Sequence, residues 1–315
     1  MDFVIFVIAM ATLIWGADIL VNQSEKIAFK FGISEFIIGT TLIALGTSLP
    51  EMANSVIASL DNKPQIAIAN VIGSNILNIT MILGTIFIIT KNINPDRDFF
   101  SKDSYWALVP LFLFLLIVID GVISRIDAIL LFILMSAYIL FLLREAKGII
   151  SKHLSDDIEE LSKEKFQWLN TLSLIIFGLI IMIVGASFTI ESASNIAKSF
   201  GISEWLIGII MISLGTSLPE LVVSLTASIK GKVDMAIGNI IGSNMANITI
   251  VLGASALAKP MNIEISNYIF DITTMLIATL MLVFLTANRL YTKPAGISLF
   301  VVLGLFLENT LSSIL

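Results

Sequence analysis

Cysteine is absent from this chain, and histidine occurs once, as His153. No disulfide framework, thiolate metal site or multi-histidine metal centre can be built from such a composition, and cysteine usage says nothing about the compartment. Charge is scarce as well: 13% of residues are Asp, Glu, Lys or Arg against 57% hydrophobic, and the formal net charge is -6. That balance leaves no basic surface for nucleic acid. No basic residue precedes the apolar run that opens at Phe3, and no small-residue cleavage site follows it, so a retained first helix is expected over a removed signal peptide. HExxH helices, GxSxG elbows and a cysteine nucleophile are all missing, so an intramembrane hydrolase is not expected.

What the chain has in quantity is apolar runs of the length needed to cross a bilayer, about 20 residues. They predict spans at roughly 2–22, 35–60, 64–90, 104–120, 124–143, 170–192, 204–229, 233–258, 267–287 and 295–314. The expectation is an all-α polytopic membrane protein of ten transmembrane helices, packed as one membrane unit because the loops are too short for an independent core. Gly, Pro or polar residues interrupt helices 2, 3, 7 and 8, which should be broken. Trp15, Trp106, Trp168 and Trp205 fall near span ends or in loops, as interface anchors do. The twelve Met and twenty Phe read as packing or lipid-facing residues.

The chain repeats itself at an offset of 169 residues: Phe31 to Gly84 aligns without a gap on Phe200 to Gly253, with 31 of 54 positions identical. GISE, GTSLPE and GSN recur in register, which shared apolar composition alone would not produce. Each copy holds five spans, an odd number, so the second should enter the membrane from the opposite side, as in inverted-repeat carriers. The expected domains are 1–143, a first five-helix repeat, 144–169, a linker, and 170–315, a second five-helix repeat. Of the 18 Lys and Arg, 14 fall on the face that holds the linker. By the positive-inside rule that face is cytoplasmic, and both termini lie outside. Asp156, Asp157, Glu159 and Glu160 share the linker with Arg144, Lys147, Lys152, Lys163 and Lys165 and read as a solvated connection between the halves.

Glu51 and Glu220 lie mid-span in helices 2 and 7, where a carboxylate is costly unless it is paired or lines a cavity. No Lys or Arg falls at that depth in any predicted span, so a bound cation is the expected partner. The other acids near span ends, Asp2, Asp18, Glu25, Asp120, Asp127, Asp271 and Glu308, can reach water at the interface, with Asp18 the leading exception. Pro50 and Pro219 precede the glutamates and free upstream carbonyls from helical pairing. Thr47, Ser48, Thr216 and Ser217 add hydroxyls at the same two places.

In helices 3 and 8, Ser74 and Asn78, and likewise Ser243 and Asn247, are four residues apart and share a helix face that can meet the glutamates. Gly73 and Gly242 read as close-packing residues. Asn75 and Asn244 fall off the shared face and stay open between packing and pore lining. The donors are all oxygens, which suits hard cations such as Ca2+ and Na+ and not zinc or copper. Two carboxylates neutralise one Ca2+, and Na+ at overlapping oxygens would make occupancy mutually exclusive, as antiport requires. A cation channel is the reading of a different class, to be told apart by flux without a counter-ion.

With these motifs, GTSLPE with GSNILN and GTSLPE with GSNMAN, nearly the whole chain resembles the cation/Ca2+ exchanger superfamily, in the prokaryotic form of its Na+/Ca2+ exchanger branch. The resemblance implies an electrogenic, alternating-access plasma-membrane antiporter, exchanging about three Na+ for one Ca2+, with no cofactor beyond the transported ions and the lipid bilayer as its surroundings. A monomer is expected. Glu51 and Glu220 would hold Ca2+ with the Thr47 and Thr216 carbonyls. Flanking Na+ sites would use the Ala44 carbonyl, Thr47, Ser74 and Glu51 on one side, and the Ser213 carbonyl, Thr216, Ser243 and Glu220 on the other. Asn78 and Asn247 would complete the middle, and helices 1 and 6 would slide across the other eight. Several relatives carry Asp where this chain has Asn247, so K+ co-transport is not implied. Exchange of Ca2+ or another divalent cation for protons is the alternative.

Overall fold

A segment inside a bilayer must satisfy its own backbone, and a helix does so within itself. The computed structural model describes residues 1–91, 93–150, 166–200 and 215–312, and its long elements are all helices. In chain order they are α1 (Asp2–Phe31), α2 (Glu35–Thr47), α3 (Leu49–Leu60), α4 (Pro64–Ile89), α5 (Phe99–Asp120), α6 (Arg125–Ile150), α7 (Trp168–Ser199), α8 (Leu218–Ile229), α9 (Val233–Ala258), α10 (Ile265–Ala287) and α11 (Lys293–Ser312). Among the described residues, eight of these are long and apolar enough to cross a membrane, and α2 with α3 makes a ninth if the pair is one broken span. The seventh predicted span lies partly outside the described residues, since α8 is preceded by residues 201–214. The linker carboxylates, from Asp156 to Glu160, also lie outside them.

Local chemistry sets the ends. Gly32 closes α1 in the left-handed region (φ 60°), donating to Phe29 O, while Ile33 N reaches back to Ala28 O. Ser34 caps α2 by accepting from Ile37 N at 3.3 Å, and Asp98 caps α5 by accepting from Ser101 N at 3.1 Å. α1 extends about two turns past its predicted end at residue 22, through a polar stretch that hydropathy reads as loop. Lys232, paired with Glu25 on those turns and with Glu35 on α2, compensates them, while Lys230 pairs with Asp18 and donates to Asn22 just before them.

The core is largely apolar, as in a water-soluble protein, but the outer surface is apolar as well and charge is found inside. Leu116, Ile126 and Leu169 are 66%, 71% and 82% exposed, while Glu51 and Glu220 are each 1% exposed. Apolar side chains on that outer surface meet lipid, and polar ones collect inside.

The described residues fall into two compact units, each drawn from both halves of the sequence. The first comprises Met1–Thr47 and Ile139–Asn239. Within it α1 and α7 lie side by side at glycine contacts. A Cβ on Gly16 would come within 2.8 Å of Gly178 O, and one on Gly185 within 2.7 Å of Leu13 N. α2 and the start of α9 approach as closely, with a Cβ on Gly39 running into Met235 O and one on Gly238 2.6 Å from Phe36 O. Small residues let helices touch in this way where no hydrophobic effect drives them together.

The second unit comprises Ser48–Tyr138 and Ile240–Leu315. α3 packs on α4 and on the second part of α9, and α11 packs on α4. Gly84 and Gly296 mark the latter crossing: a Cβ on Gly296 would sit 2.7 Å from Gly84 O. A two-residue antiparallel ladder, β1 (Val122–Ile123) with β2 (Met261–Asn262), ties the α5–α6 turn to the α9–α10 turn. Arg97 and Asp103 form a buried bidentate ion pair, 2.5 and 2.9 Å, at the start of α5.

Candidate cation site

Both GTSLPE copies fold alike. Ser48 ends α2 at φ -83°, ψ 5°, and Ser217 precedes α8 at φ -84°, ψ 2°. Each serine starts a twelve-residue helix with proline in its first turn, Pro50 or Pro219. There the missing N–H costs nothing, so the proline begins a second half-helix instead of bending a continuous one. Glu51 and Glu220 follow it in that first turn, where unsatisfied N–H groups and the helix dipole favour a carboxylate anion. Thr47, Ser48 and Ser217 are buried and Thr216 is half-buried.

In the first unit, Thr47 Oγ1 donates to Ala44 O at 3.2 Å and lies 3.5 Å from Asn239 Oδ1. Asn239 Nδ2 donates to Ser224 Oγ at 2.9 Å, one turn beyond Glu220. α8 packs on α1, on α7 and on the Ala44–Thr47 turn. Ser213, expected to offer a carbonyl, lies outside the described residues.

In the second unit, Asn70 repeats the role of Asn239: its Nδ2 donates to Ser55 Oγ at 2.9 Å and lies 3.4 Å from the Glu51 carbonyl. Asn70 and Asn239, with Ser55 and Ser224, were not among the residues singled out from sequence. The signal was present, because all four are identities inside the 169-residue repeat, but they stand outside the two motifs.

Helices 3 and 8 were expected to be broken. Here α4 and α9 run through, and the interruption is a widening into π-helix at Asn78–Leu83 and Asn247–Val251. A π-turn inserts a residue and redirects carbonyls and side chains without ending the helix. Asn78 and Asn247 each open one of these turns, and both are 1% exposed. Ser74 and Ser243 sit one turn earlier, at 2% and 0% exposure. The α3 helix that carries Glu51 packs on both α4 and the Asn247–Val251 turn.

Four asparagines link α4 to α9. Asn78 Nδ2 donates to Asn244 Oδ1 at 2.9 Å, and Asn247 Nδ2 donates to Asn75 Oδ1 at 3.1 Å. Asn244 Nδ2 in turn lies 3.4 Å from Asn75 O, and Asn75 Nδ2 lies 3.8 Å from Met275 Sδ. Among the described residues, Asn78 Oδ1, Asn247 Oδ1 and Ser243 Oγ are buried with no hydrogen-bond partner. Such acceptors are costly unless something fills them. Asn75 and Asn244 also line a hollow of about 10 Å³, together with Trp106, Pro110 and Thr279, room for about one water molecule.

Gly73 departs from its expected packing role. It is buried, yet a Cβ added there would meet nothing within 4 Å. Open space therefore lies beside Ser74. Asp18, the leading exception among the acids near span ends, pairs with Lys230 and keeps a side chain 43% exposed, and Asp127 accepts from Ser124 N and Oγ at 2.8 and 2.7 Å. Among the described residues no three His, Cys, Asp or Glu side chains gather in a metal-binding group. A cation held here must take much of its coordination from hydroxyl, amide and main-chain oxygens, the ligands of hard ions.

An all-helical, multi-pass membrane protein with carboxylates, hydroxyls and amides buried inside it belongs to the broad class that handles small cations within the bilayer. The family model described as "Sodium/calcium exchanger protein" matches residues 1–144 and 170–311, and the chain belongs to that family. It is 33% identical to the inner membrane protein YrbG of Escherichia coli over 90% of this chain and 88% of that one. It is 31% identical to the sodium/calcium exchanger MaX1 of Methanosarcina acetivorans over 95% of each chain. Among solved structures, the sodium-calcium exchanger NCX_Mj soaked with Na+ and Sr2+ superposes with a TM-score of 0.80 at 32% identity, covering 98% of this chain and 99% of that one.

Proposed function

We propose that this chain is an electrogenic, K+-independent Na+/Ca2+ antiporter working by alternating access, with about three Na+ exchanged for one Ca2+. Ten spans in two inverted five-helix repeats, 1–143 and 170–315, would carry it. The plasma membrane is its location, with both termini outside and the 144–169 linker in the cytoplasm. It acts as a monomer. Family membership supports the reading, and so does MaX1, which is named as a sodium/calcium exchanger.

One observation carries it. Glu51 and Glu220, each 1% exposed, occupy the same first-turn position after serines of nearly identical backbone geometry, 169 residues apart. Two such carboxylates match the charge of a single Ca2+. Thr47, Ser48, Ser74 and Asn78 from one copy, and Thr216, Ser217, Ser243 and Asn247 from the other, supply further oxygens toward the six to eight that Ca2+ takes. The Ala44 and Ser213 carbonyls complete the Na+ positions. Because Asn247 is neutral, the centre carries two negative charges and has no third carboxylate to draw K+ or exchange a proton. α1 and α7, in glycine contact, move as a pair to change access.

Proteoliposomes loaded with Na+ test this by taking up 45Ca2+ when diluted into Na+-free buffer, with uptake responding to membrane potential. Uptake driven equally by a proton gradient without Na+ would replace the reading with divalent cation/proton exchange.

A further inference from the structure

Asparagine is an ambiguous cation ligand: one end of its amide is a carbonyl oxygen and the other an NH2 that repels positive charge. The two ends are close in size, so packing alone does not decide which faces an ion. In this chain the decision is made by hydrogen bonds. Asn78 has its Nδ2 committed to Asn244 Oδ1 at 2.9 Å, and Asn247 has its Nδ2 committed to Asn75 Oδ1 at 3.1 Å. The partners are held in turn, Asn244 near Asn75 O at 3.4 Å and Asn75 near Met275 Sδ at 3.8 Å. Flipping Asn78 or Asn247 would set two amide oxygens against each other and turn N–H groups toward the vacated acceptor position.

We infer that Asn75 and Asn244 are positioning residues that fix the flip state of Asn247 and Asn78, so that Asn247 Oδ1 and Asn78 Oδ1 face the cation as ligands. The arrangement is reciprocal. The GSN asparagine of each repeat orients the amide of the other, and both ligand oxygens are buried without a hydrogen-bond partner among the described residues. The inference rests on the proposed cation site and adds to it two residues that touch no ion.

A double-mutant cycle tests it, because residues that act through one another do not add. Asn75→Ala and Asn247→Ala are made singly and together, and the half-saturating Ca2+ and Na+ concentrations are measured in proteoliposomes. Each single change should raise them about 3- to 10-fold, the size of one hydrogen bond or ligand contact. The double variant should match Asn247→Ala within about twofold. Multiplied effects would overturn the inference and leave Asn75 a packing residue. Asn244→Ala with Asn78→Ala gives an independent cycle, and Asn75→Ser and Asn244→Ser serve if the alanine variants do not fold. The same cycle is read without transport as the rise in Tm that Ca2+ or Na+ produces in detergent. Wild-type vesicles that move no Ca2+ would sink the functional reading, while this second readout still decides the positioning role.

Discussion

Asn70 donates its amide to Ser55 Oγ at 2.9 Å, and 169 residues later Asn239 makes the same bond to Ser224 at the same distance. Each bond ties α4 or α9 to the turn that follows Glu51 or Glu220. Asn70→Ala or Asn239→Ala leaves a buried serine short of a donor and should lower stability by about 1–3 kcal/mol. Ser55→Ala should cost less, because the Asn70 amide keeps the Glu51 carbonyl as an acceptor. Thermal unfolding in detergent measures both.

Gly73 is buried beside open space, whereas a Cβ on Gly16, Gly39, Gly185 or Gly296 would meet main-chain atoms. Gly73→Ala meets no atoms and removes a glycine from the interior of α4, so ion-free stability should match wild type or rise by up to about 1 kcal/mol. If the space belongs to the cation site, the same methyl lowers Ca2+ affinity. A Tm and an uptake titration on one preparation check the split.

Gly185 gives the opposite result. Its Cβ would fall 2.7 Å from Leu13 N and 3.0 Å from Ala9 O, both main-chain atoms of α1 that cannot swing aside. Gly185→Ala should therefore force α1 and α7 apart and cost about 1–3 kcal/mol. If the pair moves as one body, transport should fall further than the Tm, which a turnover measurement normalised to folded protein reads.

Lys232 is pulled down by burial, but its hydrogen bonds to Glu25 and Glu35 and their charges outweigh this and hold its pKa above the ordinary 10.5. A base whose pKa is raised by folding contributes stability in full below its unfolded value, and loses it as pH rises through the folded one. Lys232→Met should thus lower stability by about 1 kcal/mol, evenly across neutral pH. At the basic end the difference from wild type should close above pH 10.5, and at the acid end as Glu35, whose burial raises its pKa, takes up its proton. Unfolding at several pH values follows it.

Much of this architecture was legible beforehand because bilayer physics leaves strong marks. Apolar runs located the helices, and the polar identities of GTSLPE and GSN located the candidate residues at both repeats. The end of α1 was not legible, since Gln23, Ser24 and Glu25 look like loop until the first two are found buried and Lys232 is placed against the third. Nor were the π-turns at Asn78 and Asn247, because one extra residue per turn has no compositional signature. A helical wheel puts Asn75 about 100° from Ser74 but names no neighbour. Its bond to Asn247 comes from the other repeat, and only tertiary structure supplies that.

The central claim is that Glu51 and Glu220 together hold the transported cation, and the most direct measurement is Na+-driven 45Ca2+ uptake by Glu51→Gln and Glu220→Gln. Glutamine keeps the shape and removes the charge, so folded protein should persist while uptake falls by at least about 100-fold, a loss of about 2.7 kcal/mol. Near wild-type uptake by either variant would contradict the account.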